Sequence, residues 1–208
     1  MLVTFEGPEG SGKTTLIEAL ERELAARGAE ALVLREPGGT NIGERIRSIL
    51  LDLSSRAMCP ETELLLMEAS RAQLVREKVR PALEAGMIVL CDRFADASVA
   101  YQGFGRGLGA TVVHQFNAFA TGGLEPDLSF FCLLPPEQGR ARLEGRQTDR
   151  LDRESIEFHE RVYEGYQALA ASGPSRIAVL DATDEPEAML AEAISHLRRL
   201  EHGLLRFI

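Results

Sequence analysis

At 208 residues, 45% hydrophobic and 26% charged, the chain is long enough to bury one sizeable core and has the make-up of an ordinary soluble globule. Its net charge of −9 argues against a long nucleic-acid backbone as partner, and no apolar run approaches membrane-spanning length. The start has no basic stretch leading into a long apolar one, and Cys59, Cys91 and Cys132 are odd in number without zinc-type spacing, so three buried, reduced thiols in the cytoplasm are expected.

The first apolar run, residues 2–5, is of strand type and leads into Gly7-Pro8-Glu9-Gly10-Ser11-Gly12-Lys13-Thr14-Thr15. This fits the phosphate-loop pattern G-x-x-x-x-G-K-[ST]. Leu16, Ala19, Leu20 and Leu24 then recur at helical spacing up to Gly28. Strand, glycine loop and helix in that order aim backbone N–H groups and a helix N-terminus at an anion. In such a loop Lys13 reaches the β/γ-phosphates and the Thr14 hydroxyl ligates Mg²⁺.

Further strand-like runs at 31–34, 88–91, 128–134 and 177–180 alternate with helical patterns, which predicts a parallel sheet covered on both faces. Ligands in such sheets sit beyond the carboxyl ends of the strands. That rule selects Arg35-Glu36-Pro37, Asp92-Arg93 and Asp181-Ala182-Thr183 beside the phosphate loop. A carboxylate such as Asp92 can hold Mg²⁺ through water, and Arg93 can hold a phosphate, unless the two form a plain surface ion pair.

Within an expected amphipathic helix over 63–83, Arg71 interrupts the stripe of Leu64, Met67 and Leu74. A core-facing arginine needs a partner, for which a ligand is one candidate and snorkelling to solvent the bland alternative. The glycine-rich run from Gly103 to Gly109 opens no helix after a strand and reads as a flexible loop. Residues 135–153 are polar, carry Arg140, Arg142, Arg146, Arg150 and Arg153, and form a candidate mobile lid. The four histidines lack ligand spacing.

These stretches together resemble bacterial thymidylate kinase, within the P-loop nucleoside monophosphate kinases. The resemblance rests on the phosphate loop, Arg35-Glu36-Pro37-Gly38-Gly39-Thr40, Arg71-Ala72-Gln73, Asp92-Arg93-Phe94 and Ala100-Tyr101-Gln102-Gly103. Pro126-Asp127-Leu128, Asp149-Arg150-Leu151 and Asp181-Ala182-Thr183 extend it along essentially the whole chain.

The resemblance implies a single α/β domain over 1–208, a five-stranded parallel sheet with helices on both faces and an Arg-rich lid. It implies transfer of the ATP γ-phosphoryl group to dTMP in dTTP synthesis, with Mg²⁺ on Thr14 and Asp92, by a cytoplasmic homodimer. ATP would be held by Gly7 to Thr15 and by Asp181, Ala182 and Thr183. Glu9 would bind the sugar 3′-hydroxyl, Arg93 and Arg47 the dTMP phosphate, and Arg71 the thymine O4. Ser98, Gln102 and Pro37 would line the dTMP pocket, and Tyr101 would disfavour a 2′-hydroxyl. With no arginine in the phosphate loop, Arg146, Arg150 and Arg153 would supply the lid charge beside Lys13. The chain departs from the family pattern at Met67, where a phenylalanine usually stacks on thymine, at Ala97 and at Leu133. A switch or assembly ATPase is the competing class, but there is no N-K-x-D run, and arginine rather than a second acid follows Asp92.

Overall fold

Alternating side chains along five short strands decide the architecture. The computed structural model describes residues 1–145, 147–172 and 175–200. Strands β1 (Leu2–Glu6), β2 (Ala31–Arg35), β3 (Ile88–Asp92), β4 (Leu128–Leu133) and β5 (Ile177–Asp181) form one parallel sheet in the order β2-β3-β1-β4-β5. Each lies within about a residue of its predicted run. β1 is central, so the loop that follows it emerges in the middle of the sheet's carboxyl edge.

Successive strand residues face opposite sides. Val3, Phe5, Leu90 and Phe130 point to one face, which α1 (Lys13–Ala26) and a late helix, Pro186–Arg199, cover with Leu16, Leu20, Met189 and Leu197. Leu2, Val89, Cys91 and Phe131 point to the other.

On that second side lie α2 (Asn41–Leu51), α3 (Pro60–Leu74) and α4 (Arg80–Glu84), the last two joined by a π-helical turn over Val75–Val79. The helix expected over 63–83 is therefore real but carries one wide turn. After β3 come α5 (Ala95–Ser98), a second π-helical turn over Val99–Gly105, and α6 (Ala110–Thr121). α7 (Pro136–Arg142) lies within the arginine-rich segment 135–153, α8 (Ile156–Ala171) follows it, and α9 (Pro186–Arg199) closes the described chain.

Two expectations are corrected here. The first glycines of the 103–109 run are not a flexible loop: Gly103 and Gly105 are buried in the second π-helical turn. A Cβ on Gly105 would meet Phe158 at 2.8 Å and Val162 at 2.9 Å, so the missing side chains let α8 pack against this backbone. Cys59 is exposed at the start of α3, whereas Cys91 and Cys132 are buried as expected; none is in a disulfide. Leu133, one of the departures, packs against the cluster of Phe131 and Tyr166.

Candidate active site

The loop after β1 is shaped by glycine. Gly7, Gly10 and Gly12 have φ of 136°, 75° and 81°, where side chains are strained. A Cβ on Gly10 would lie 2.7 Å from the Gly139 carbonyl, so α7 sits directly on the loop. No side chain caps the N-terminus of α1, leaving first-turn amides and the helix dipole open to an anion. Lys13 curls back over the loop, its Nζ donating to Pro8 O at 2.8 Å, Gly7 O at 3.2 Å and Ser11 Oγ at 3.3 Å. Burial, and then Arg93, depress its pKa.

Arg93, at the exit of β3, is the hub of a second cradle. Its backbone adopts φ 67°, unusual for a side chain of this size. The guanidinium pairs with Glu9 and donates to Gly7 O at 2.8 Å, Tyr101 Oη at 3.1 Å and Tyr166 Oη at 3.2 Å. It also lies over the Tyr101 ring, 4.9 Å from the centroid. Partial burial works against ionisation of Glu9, but Arg93 and then Lys13 outweigh it and hold its pKa at about 2. Glu9 is thus an anion at every ordinary pH.

The Thr14 hydroxyl lies 3.4 Å from Asp92 Oδ2, while Asp92 Oδ1 is buried with no hydrogen-bond partner. An orphaned carboxylate oxygen beside a hydroxyl at the phosphate loop suits a hard divalent cation, so these two residues fit Mg²⁺. Among the described residues no cluster of three histidine, cysteine or acidic side chains offers another metal site.

Arg71 is 2% exposed, so it does not snorkel. Its Nε donates to Glu36 at 2.8 Å, and Nη2 to Phe94 O at 2.9 Å. Nη1 is shared among Glu68 at 2.6 Å, Asn117 at 2.6 Å and Ser98 at 3.0 Å. The protein therefore occupies the donors that the resemblance would aim at a base. Burial pushes Glu36 up to about 7 against the pull of Arg71. Thr40 caps α2 through its hydroxyl, and that helix carries Arg47, whose Nη1 donates to Pro37 O at 2.8 Å.

One cleft of about 990 Å³ gathers these groups. Glu9 to Thr15, Pro37, Arg47, Met67, Arg71, Asp92, Arg93, Ser98, Tyr101, Gln102, Ala182 and Thr183 all line it. Gly7 and Pro8 lie behind it and contribute carbonyls to Lys13. Asp181 instead accepts from Thr183 N at 2.9 Å and Oγ1 at 2.7 Å, shaping the turn.

The lid arginines are redistributed. Arg150 is buried, donating to Glu63 at 2.7 Å and Leu50 O at 2.8 Å, because a buried carboxylate demands a cation. Arg153 is exposed and bonds Thr148 at 3.0 Å. Neither lines the cleft, and Arg146 lies outside the described residues. Arg142 does line it, its Nη1 reaching Gly10 O at 3.2 Å and Ala182 O at 3.0 Å. Sequence counting placed Arg142 in the basic cluster but had no means to single it out. Tyr166, which supports Arg93 from α8, gave no signal at all.

Comparison with known proteins agrees with this geometry. The family model described as Thymidylate kinase matches residues 5–193. A thymidylate kinase of Desulfovibrio desulfuricans is 47% identical, over 98% of this chain and 100% of its own. One from an Exiguobacterium species is 45% identical, over 98% of this chain and 97% of its own. The crystal structure of thymidylate kinase from Ehrlichia chaffeensis superposes with a TM-score of 0.77 at 30% identity, covering 95% of this chain and 98% of that one.

Proposed function

The chain belongs to the thymidylate kinase family, and from that premise we propose how its residues divide the phosphorylation of dTMP to dTDP by ATP. The observation that carries the assignment is the Glu9–Arg93–Tyr101 cradle opening onto the same cleft as the phosphate loop. Arg93, with Arg47, holds the acceptor phosphate. Glu9, fixed as an anion, accepts from the sugar 3′-hydroxyl. Tyr101 stands against the sugar and leaves no room for a 2′-hydroxyl.

The uncapped N-terminus of α1 and Lys13 hold the ATP phosphates, with Lys13 leaving the loop carbonyls for them. Thr14 and Asp92 hold Mg²⁺, which when bound neutralises charge on the β- and γ-phosphates. Arg142, between Gly10 and Ala182, supplies the further cation over the phosphates, and residues 135–153 serve as the lid of a single domain. Thymine O4 takes the place of Ser98, the longest of the Arg71 contacts at 3.0 Å, as the third acceptor sharing the two Nη1 hydrogens with Glu68 and Asn117. The unpaired cysteines suit a reducing, cytoplasmic compartment, and no helix among the described residues is long and apolar enough to cross a membrane.

An ADP-release assay across nucleoside monophosphates tests the reading. Turnover should need Mg²⁺ and be fastest with dTMP, ahead of dUMP. A purine nucleotide as best acceptor, or ATP hydrolysis independent of any acceptor, would overturn it.

Met67 lines the cleft, is only partly buried and belongs to no core cluster. Its thioether packs on the base at about 0.3–1.5 kcal/mol. Met67→Phe should therefore bind dTMP at least as tightly through ring stacking, with little change in melting temperature. A fall in melting temperature at unchanged affinity would place Met67 in the core instead.

The homodimer is assigned to α6, whose Val112, Phe116 and Phe119 lie on one face and are 43%, 38% and 83% exposed. α3, packed against α6, exposes Leu65 at 53%. Phe119→Glu should convert a dimer to a monomer in sedimentation. A wild-type protein that sediments as a monomer refutes the assignment.

A further inference from the structure

Glu63, in the first turn of α3, is a buried carboxylate that phosphoryl transfer does not use. It is 1% exposed and accepts bonds from three side chains. Gln102 donates Nε2 to Oε1 at 2.9 Å. Arg106 donates Nε to Oε1 at 3.0 Å and Nη2 to Oε2 at 2.9 Å, and Arg150 donates Nη2 to Oε2 at 2.7 Å. Burial works against its charge, but the bonds from Arg106 and Gln102 outweigh it and hold its pKa below the usual range.

An ionised carboxylate can only accept, so the amide facing it must present its NH₂ edge. This fixes which way Gln102 points. Its Oε1 takes no bond from any described residue and is not among the sealed, unpaired atoms, so it opens on the cleft beside Met67, Arg71 and Ser98. We propose that Glu63 is a positioning residue for base selection: by holding the Gln102 amide in one orientation, it makes the base pocket present a hydrogen-bond acceptor next to the Arg71 donor.

A ring with an N3–H and a 4-carbonyl, as in thymine or uracil, matches that pair. Cytosine has an acceptor at N3 and an amino group at C4, and so opposes like to like at both points. With the amide free to rotate, NH₂ could serve a cytosine N3. The carboxylate removes that option. The inference rests on the reading of the cleft as a thymidylate site.

The test is the ratio of kcat/KM for dTMP to that for dCMP. In Glu63→Gln the new carboxamide can meet either edge of Gln102, so the ratio should fall roughly tenfold or more, as expected when a buried polar group can be left unpaired, while the KM for ATP changes little. Arg106→Met is the control. It disturbs the same cluster but spares the Gln102 contact, so it should lower the melting temperature and leave the ratio within about twofold of wild type.

If Glu63→Gln does not fold, the wild-type protein can be assayed with N3-methyl-dTMP, which lacks the N3–H but keeps both carbonyls. Its kcat/KM should drop by roughly tenfold or more. An unchanged ratio in Glu63→Gln, an equal fall in Arg106→Met, or undiminished turnover of N3-methyl-dTMP would each overturn the proposal. Those results leave dTMP phosphorylation standing, whereas a wild-type protein that does not turn over dTMP removes the function and this inference together.

Discussion

Arg93→Met should lower kcat/KM for dTMP by about 10³-fold, the scale of a lost electrostatic contact to a reacting phosphoryl group. Arg93 is the convergence point of the acceptor cradle, bonded to Glu9, Tyr101, Tyr166 and the Gly7 carbonyl. Methionine keeps roughly the length of the stem but removes every donor. The acceptor phosphate then loses its cation, and Glu9 loses the main source of its depressed pKa.

The KM for ATP should change much less, because the phosphate loop and Lys13 are held by their own backbone contacts. Arg93→Lys should recover only part of the loss, since an ammonium cannot bridge two phenols, a carboxylate and a carbonyl in one plane. Steady-state kinetics and a melting curve on each variant make the check. A loss of less than tenfold in Arg93→Met would remove the phosphate-holding role from this residue.

The second large effect separates two arginines that the sequence grouped together. Arg150→Ala should act on stability. It strips a cation from buried Glu63 and a donor from Leu50 O. Breaking a buried pair costs about 3–5 kcal/mol. Arg106 and Gln102 remain on Glu63, so the lower end applies. For a chain of this size that is a drop in melting temperature of roughly 6–12 °C.

Arg142→Ala should do the reverse. Its side chain is exposed and reaches only two backbone carbonyls, so the fold should lose little. Its kcat should fall by about a hundredfold or more if it is the cation that closes over the transferred phosphoryl group. Calorimetry beside single-turnover rates distinguishes the two patterns. A hundredfold loss of kcat in Arg150→Ala at unchanged melting temperature would return the lid role to Arg150.

Much of the cleft was legible before any fold was known. Parallel strands buried on both faces must be nearly continuous apolar runs, so their ends show as abrupt changes to polar or turn-forming residues. Those ends supplied Glu9 to Thr14, Arg35-Glu36-Pro37, Asp92-Arg93 and Asp181-Ala182-Thr183, and all of them except Asp181 line the cleft. The phosphate loop is legible for a different reason. A backbone that wraps an anion needs glycines with positive φ at set intervals, and glycine is visible in a sequence.

Less visible was anything whose meaning depends on a partner distant in the chain. Arg71 read as an arginine in need of a ligand, whereas Glu36 after β2, Ser98 on α5 and Asn117 on α6 converge on it beside Glu68 of its own helix. Cys59 read as buried because cysteines usually are, but it begins a helix at the surface.

The sequence by itself determined the sheet, the phosphate loop and the strand-end residues of the cleft, because hydrophobic period and glycine placement are local properties of the chain. Only the tertiary structure decided which arginine of the 135–153 segment lines the cleft and which one pairs with buried Glu63. Arg142 and Arg150 are eight positions apart, alike in charge and similar in setting. One ends a helix that lies on the phosphate loop, and the other meets a carboxylate that α3 has already buried. A long-range charge pair is settled by where two distant segments come together, and no local pattern encodes that distance.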